Sequence, residues 1–252
     1  MNRADLNRRL GYPKVKLRWL RTLAYRRFLD WYRRSDFCRM TGSGMLTPLD
    51  AVFRNLELRG LYPDPLIVLE VFGGVGLCKT IDIAPRAAHI THLELHDALV
   101  HHAKKMLPAG KTVFVVGDSI RAVRERDLPR RDYNFIHIDN DCGRFGDYFE
   151  NFDLFPAVAE CLGERGCLVF NVQLDIRDKD PEALWLQRRR EFFGLAAADD
   201  PARIDYATAQ RAYLAHIPQD RFAVGDVFPV PHHGETIYMV IPLTRRSPAR
   251  SA

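Results

Sequence analysis

Leu66-Ile67-Val68-Leu69-Glu70-Val71-Phe72-Gly73-Gly74-Val75-Gly76 decides the fold: an apolar run with an acid near its end, pouring into a glycine turn. Continuous Leu, Ile and Val suit a strand covered on both faces, as in a parallel sheet flanked by helices. Gly73, Gly74 and Gly76 let the backbone pass close to a ligand, and the next helix can present unpaired N–H groups to its polar part. The pattern predicts a nucleotide-type cofactor site at the end of the first strand. A simple tight turn would read the same way, so the rest of the chain has to decide.

It decides by repetition. Residues 89–95 form a second apolar run ending at Glu94, 112–116 a third ending in Gly117-Asp118-Ser119, and 134–138 a fourth ending in Asp139-Asn140-Asp141. Glu70 to Glu94 and Glu94 to Asp118 are steps of 24 residues, and Asp118 to Asp139 is one of 21, which suits strand-helix-strand units of a parallel sheet. Ligands of such sheets bind beyond the carboxyl ends of the strands, so the four acids converge on one crevice. A helix over 48–58 is expected before the first strand, a helix over 152–162 and a strand over 167–172 after the fourth. Arg221-Phe222-Ala223-Val224-Gly225-Asp226-Val227-Phe228 and Thr236-Ile237-Tyr238-Met239-Val240-Ile241-Pro242-Leu243 read as a hairpin joined by 229–235, which includes Pro231-His232-His233-Gly234.

In this ordered set the chain resembles the class I S-adenosylmethionine-dependent methyltransferases. The matching residues are Glu70 to Gly76 for the glycine motif, Leu93-Glu94-Leu95 after the second strand, Gly117-Asp118-Ser119 after the third and Ile136-His137-Ile138-Asp139 at the fourth. The resemblance spans about residues 45–175 and continues to about 244. It implies a doubly wound, mostly parallel seven-stranded α/β sheet closed by an antiparallel terminal hairpin. It further implies S-adenosylmethionine as cofactor, with Gly73, Gly74 and Gly76 close to its methionine part and Glu70 near its amino group. Glu94 would accept from both ribose hydroxyls; Asp118 would bind the adenine amino group, with Leu95, Ser119 and Asp139 also on the cofactor side. Each acid has a plainer reading, as a helix cap or a solvated strand end.

A nicotinamide cofactor is the competing reading, since its fingerprint also joins a strand, glycines and an acid about 20 residues on. Setting Gly74-Val75-Gly76-Leu77-Cys78-Lys79 against G-x-G-x-x-G puts Lys79 where a small residue packs the helix on the sheet, and this counts against a dinucleotide.

The 252 residues, 47% hydrophobic, can bury a full core. No apolar stretch of about 18 residues occurs, so no membrane span is expected. The amino terminus shows no apolar signal core, and the five cysteines form no C-x-x-C pair, so reduced thiols and a cytoplasmic location are expected. The net charge of +5 is unevenly spread: residues 1–40 hold 12 Lys and Arg against 3 acids, a net +9, which leaves the remainder at −4. Within that stretch Leu17, Leu20, Ala24, Phe28 and Trp31 recur at helical spacing among arginines. Three readings fit this basic amphipathic helix over 1–44: a packing or lid helix, a contact with RNA or another polyanion, and attachment to an anionic membrane surface.

Thr41-Gly42-Ser43-Gly44 reads as a hinge, after which Met45 and Thr47 are expected beside the donor pocket. Residues 45–252 are expected to form the catalytic domain, with a helical insertion over 176–218 that joins residues 1–44 as an acceptor-binding cap. Methyl transfer needs an in-line nucleophile and, for a neutral acceptor, removal of a proton. The candidates for that base are Asp139, Asp141, His232 and His233. Asp139 and Asp141 alone are a partial Mg²⁺ site, so no metal is expected. Asn140-Asp141-Cys142 lacks the Pro-Pro-aromatic sequence of base-modifying amino-methyltransferases, which disfavours nucleic acid as acceptor. The expected acceptor is an O or N nucleophile of a small molecule or peptide. An RNA methyltransferase docking through the basic helix and a silent binding module remain the alternatives.

Overall fold

The computed structural model describes residues 47–74, 76, 79–140, 148–233 and 235–247. The basic amino-terminal helix, the hinge at 41–44, Met45 and Asp141 lie outside the described residues, as does the side chain of His233. The described elements alternate as the strand-end spacing demands. Helix α1 (Pro48–Leu58) precedes β1 (Leu66–Val71), then come α2 (Thr80–Ile83), β2 (Ala87–Glu94), α3 (Asp97–Met106), β3 (Thr112–Val116), α4 (Ser119–Glu125) and β4 (Tyr133–Ile138). After two 3-10 turns follow β5 (Leu162–Gln173), α5 (Ala183–Phe193), α6 (Tyr206–Ala215), β6 (Phe222–Val224), β7 (Phe228–His233) and β8 (Thr236–Arg245).

The sheet runs β3-β2-β1-β4-β5-β8-β6, with β7 also paired to β8. The first five strands in sequence are parallel, and β8 lies antiparallel to β5. The order reverses between β1 and β4, so the crevice at their carboxyl ends is the topological switch point. Side chains alternate between two cores, as a pleated sheet requires. Leu66 and Val68 join α1 and α3 on one face, and Leu69 and Val71 join α4, α5 and α6 on the other.

Two expectations are corrected. The helix over 152–162 is a pair of 3-10 turns, Asn151–Leu154 and Ala157–Cys161. Phe155, which precedes Pro156, is extended, the conformation that a following proline imposes. The terminal hairpin has a broken edge, so the sheet has eight strands rather than seven. β6 pairs with the end of β8 near Arg245, β7 with its beginning near Thr236, and Gly225 bridges them through its N–H to Pro242 O at 2.8 Å. Residues 229–233, expected in the connection, are strand; Pro229 and Pro231 can sit there because an edge strand tolerates missing donors.

Thr47 caps α1. Asp50 N donates to its hydroxyl at 3.1 Å, and Thr47 N to the Asp50 carboxylate at 3.3 Å, a reciprocal capping box. The aromatic residues of the 176–218 segment largely pack inward: Trp185, Phe193 and Tyr213 are buried, and Phe192 stacks on Phe152. Arg189 is fully buried with Glu150, and its guanidinium also serves the carbonyls of Pro201 and Gln173.

Candidate functional site

The turn after β1 is built from left-handed backbone: φ is 62° at Phe72, 58° at Gly74 and 73° at Gly76. Phe72, with a Cβ, stores about 1–2 kcal/mol of strain there. Gly73 N donates to Leu93 O at 2.8 Å, which leans the turn on β2. A Cβ on Gly73 would lie 2.1 Å from Cε1 of His92, whereas one on Gly74 would meet nothing within 4 Å. Gly73 is therefore fixed by packing, and Gly74 by its φ beneath open space.

Glu94 holds this turn from below. Its Oε2 accepts from Gly74 N and its Oε1 from His96 N, both at 2.9 Å. Each oxygen keeps a second lone pair. Gly117 N donates to Glu94 O at 3.0 Å, so the tips of β2 and β3 adjoin. Beside them Leu95 is 57% and Val116 48% exposed, an apolar pair left in solvent between two acids. Asp118 takes the helix-cap role: its Oδ1 accepts from Ile120 N at 2.9 Å and Arg121 N at 3.2 Å. Ser119, buried, is the first residue of α4.

The other half of the site is a buried polar row. In register, Glu70 stands beside His92 on β2 and His137 on β4. Both Glu70 oxygens lie 3.0–3.1 Å from His137 Nδ1, and the residue is only 2% exposed. The acid that the resemblance places near the cofactor's amino group is thus committed to a histidine. His137 Nε2 lies 3.4 Å from the hydroxyl of Tyr238, which donates to Asp139 Oδ2 at 2.6 Å. Asp139 Oδ2 also meets Lys79 Nζ at 3.2 Å and His232 Nε2 at 3.4 Å, and Lys79 and His232 are 2.7 Å apart.

Burial alone would raise the Asp139 carboxyl, yet the His232 hydrogen bond and the Lys79 charge outweigh it and hold the group well below the usual carboxylate range. Burial, and then the Asp139 carboxylate, push the Tyr238 phenol well above its ordinary value, so Tyr238 keeps a proton at any working pH. The tip of β4 is pinned from the far side: Asn171 Nδ2 donates to Asn140 O at 2.6 Å, and Asn151 Nδ2 to Asn171 Oδ1 at 2.8 Å.

Of the site residues expected from the sequence, the structure brings His232 to Asp139, links Asp139 to Glu70 through Tyr238 and His137, and ties Glu94 to the glycine turn. Lys79, His137, Tyr238 and His92 were not among them. The available signal was an ionisable side chain inside an apolar strand, as in Ile136-His137-Ile138, because such a group must find a partner when buried. Among the described residues no group of three or more His, Cys, Asp or Glu could hold a metal ion, and no helix is long and apolar enough to cross a membrane. Cys161 and Cys167 are free and buried, and burial pushes the Cys161 thiol up to about 11.

No protein-family model matches the chain, and no curated protein matches its sequence. Solved structures do. Trm1 from Pyrococcus horikoshii, solved with S-adenosyl-L-methionine, superposes with a TM-score of 0.52 at 14% identity, over 79% of this chain and 56% of that one. A possible exported protein from Bordetella parapertussis gives 0.50 at 14%, over 86% and 79%. An S-adenosylmethionine-dependent methyltransferase from Mesorhizobium loti gives 0.46 at 16%, over 79% and 100%. With the strand order, the switch-point crevice and the antiparallel β8, the likeness fixes the architecture: the chain has the class I, Rossmann-like methyltransferase fold.

Proposed function

We propose that the protein is an S-adenosylmethionine-dependent methyltransferase acting on an O or N nucleophile of a small molecule or peptide. The observation that carries this reading is the open space over Gly74, whose φ of 58° leaves the turn without a side chain at the switch point. Around that space the donor set suits an adenosyl sulfonium. Glu94, held by two backbone N–H groups, keeps lone pairs for ribose hydroxyls, and the exposed Leu95 beside Asp118 and Ser119 offers an apolar wall with an acceptor for adenine. Gly73, Gly74 and Gly76 would flank the methionine part. The cofactor would supply an activated methyl group. The chain's own task is to hold the acceptor in line and take its proton, with Asp139 after β4 and His232 near the end of β7 as the groups we assign to that step.

The cytoplasm is the compartment we assign, since reduced buried thiols suit it. Residues 1–44 and 176–218 are proposed to shape the acceptor side. A nucleic-acid acceptor ranks second: the net +9 of residues 1–40 favours it, and the sequence after Asn140 speaks against base methylation. The test is transfer of a radiolabelled methyl group from S-adenosylmethionine to fractionated metabolite, peptide and RNA pools. Label in a small-molecule or peptide pool supports the reading. Label only in RNA moves it to the second one, and bound cofactor with no transfer to any pool reduces the chain to a binding module.

A further inference from the structure

Asp139, Tyr238, His137 and Glu70 stand in one line that leads from the tip of β4 into the sheet. Tyr238 and His137 are fully buried, and the successive contacts are 2.6, 3.4 and 3.0 Å. A tyrosine hydroxyl has one proton and two lone pairs. Given to Asp139, that proton leaves the Tyr238 oxygen as an acceptor toward His137 Nε2, while His137 Nδ1 donates to Glu70. Turned the other way, Tyr238 donates to His137 and accepts from a protonated Asp139. The two arrangements differ by one proton moved between Asp139 and His137.

We propose that this line is a proton relay that takes the proton of the acceptor nucleophile from Asp139 through Tyr238 to His137, where Glu70 balances the charge. The inference rests on the methyltransferase reading of the crevice. As the acceptor's X–H bond breaks and its X–C bond forms, the proton joins Asp139. Tyr238 passes its own proton to His137 Nε2 and receives the one from Asp139. The line ends as Asp139 carboxylate, Tyr238 phenol and a His137 imidazolium beside the Glu70 carboxylate, so one positive charge enters with the methyl donor and one remains on His137. Lys79 makes the relay necessary: its ammonium keeps Asp139 a poor place for a proton to stay. His92 from β2 flanks Glu70, Asp82 of α2 adds a carboxylate near His137, and His232 of β7 contacts Asp139 without entering the line. Such a device serves an acceptor that arrives with a proton on its nucleophilic atom, a hydroxyl or a protonated amine, rather than a thioether or tertiary amine. Tyr238, His137 and Glu70 are positioning residues acting through Asp139.

The test follows His137 in the ¹⁵N-histidine-labelled full chain by NMR from about pH 5 to about pH 9, the range in which imidazoles titrate. Asp139→Asn should lower the proton affinity of His137 about tenfold, and in a Tyr238→Phe background the same substitution should change it less than about threefold. Equal effects in both backgrounds would mean that only the long-range charge is felt, and would overturn the relay. Should a variant fail to fold, the wild type decides: His137 Nε2 has to pass from unprotonated to protonated within the range while Nδ1 keeps its proton toward Glu70, and an Nε2 that stays in one state throughout overturns the relay. Calorimetry with S-adenosylmethionine on the same samples keeps the two claims apart. No binding there would remove the methyltransferase reading whatever His137 does.

Discussion

Gly73→Ala should damage the molecule more than any other single methyl group added at the site. The new Cβ would lie 2.1, 2.4 and 2.6 Å from Cε1, Nδ1 and Nε2 of His92, where ordinary contact is about 3.5–4.0 Å. The ring has to move by more than 1 Å, roughly the difference between those values. It has little room: His92 is fully buried, meets Phe114 edge-on at 5.6 Å, and its Nε2 lies 3.2 Å from Gly74 O. Overpacking of this kind costs about 1–3 kcal/mol, here at the upper end, and in a chain of this size each kcal/mol is worth about 2–4 °C. Thermal and urea unfolding should show a loss of about 3 kcal/mol and a Tm lower by about 6–12 °C. Because the displaced ring pushes the turn that Glu94 holds, cofactor affinity should fall as well. His92→Ala in the Gly73→Ala background should recover about 1 kcal/mol or more. An alanine variant as stable as the wild type would show that the glycine is not placed there by packing.

Three further outcomes follow from the same contacts. Glu94→Ala leaves Gly74 N–H and His96 N–H without acceptors and should weaken cofactor binding by about 1–3 kcal/mol in calorimetry; unchanged affinity would remove Glu94 from the site. Arg189→Met strands the buried Glu150 carboxylate and should cost about 3–5 kcal/mol in denaturant unfolding, part of it returned by adding Glu150→Gln; a neutral effect would refute the pair. Asp82 is pushed up to about 6 by burial and then by Asp50, so its contribution is fully present below about pH 4 and is lost as pH rises through 6. Asp82→Asn should therefore gain on the wild type by on the order of 1–2 kcal/mol between pH 4 and pH 8; urea midpoints that stay parallel across that window would contradict it.

The parts of the fold that were legible are those set by local chemistry. Helix α1 runs over Pro48–Leu58 as expected, although Thr47, expected beside the donor pocket, caps it, and the apolar run Thr112–Val116 is β3 to the residue. Local chemistry misled where a proline acts on its predecessor, as at Phe155, and where an edge strand accepts two prolines. The glycine turn and Glu94 could be found because their spacing is written along the chain. The buried row could not, since Glu70 and His137 are 67 residues apart and Tyr238 lies 101 beyond His137. Strand order alone makes them neighbours. Yet Leu69-Glu70-Val71 and Ile136-His137-Ile138 each bury one ionisable group at a strand tip, and two such orphans in adjacent strands point to each other.

Titration calorimetry with S-adenosylmethionine, its demethylated product and NADH tests the central claim most directly. Saturable binding of both adenosyl ligands at one site per chain, weakened by Glu94→Ala and with no response to NADH, is expected. Tight NADH binding with silence toward S-adenosylmethionine would contradict it.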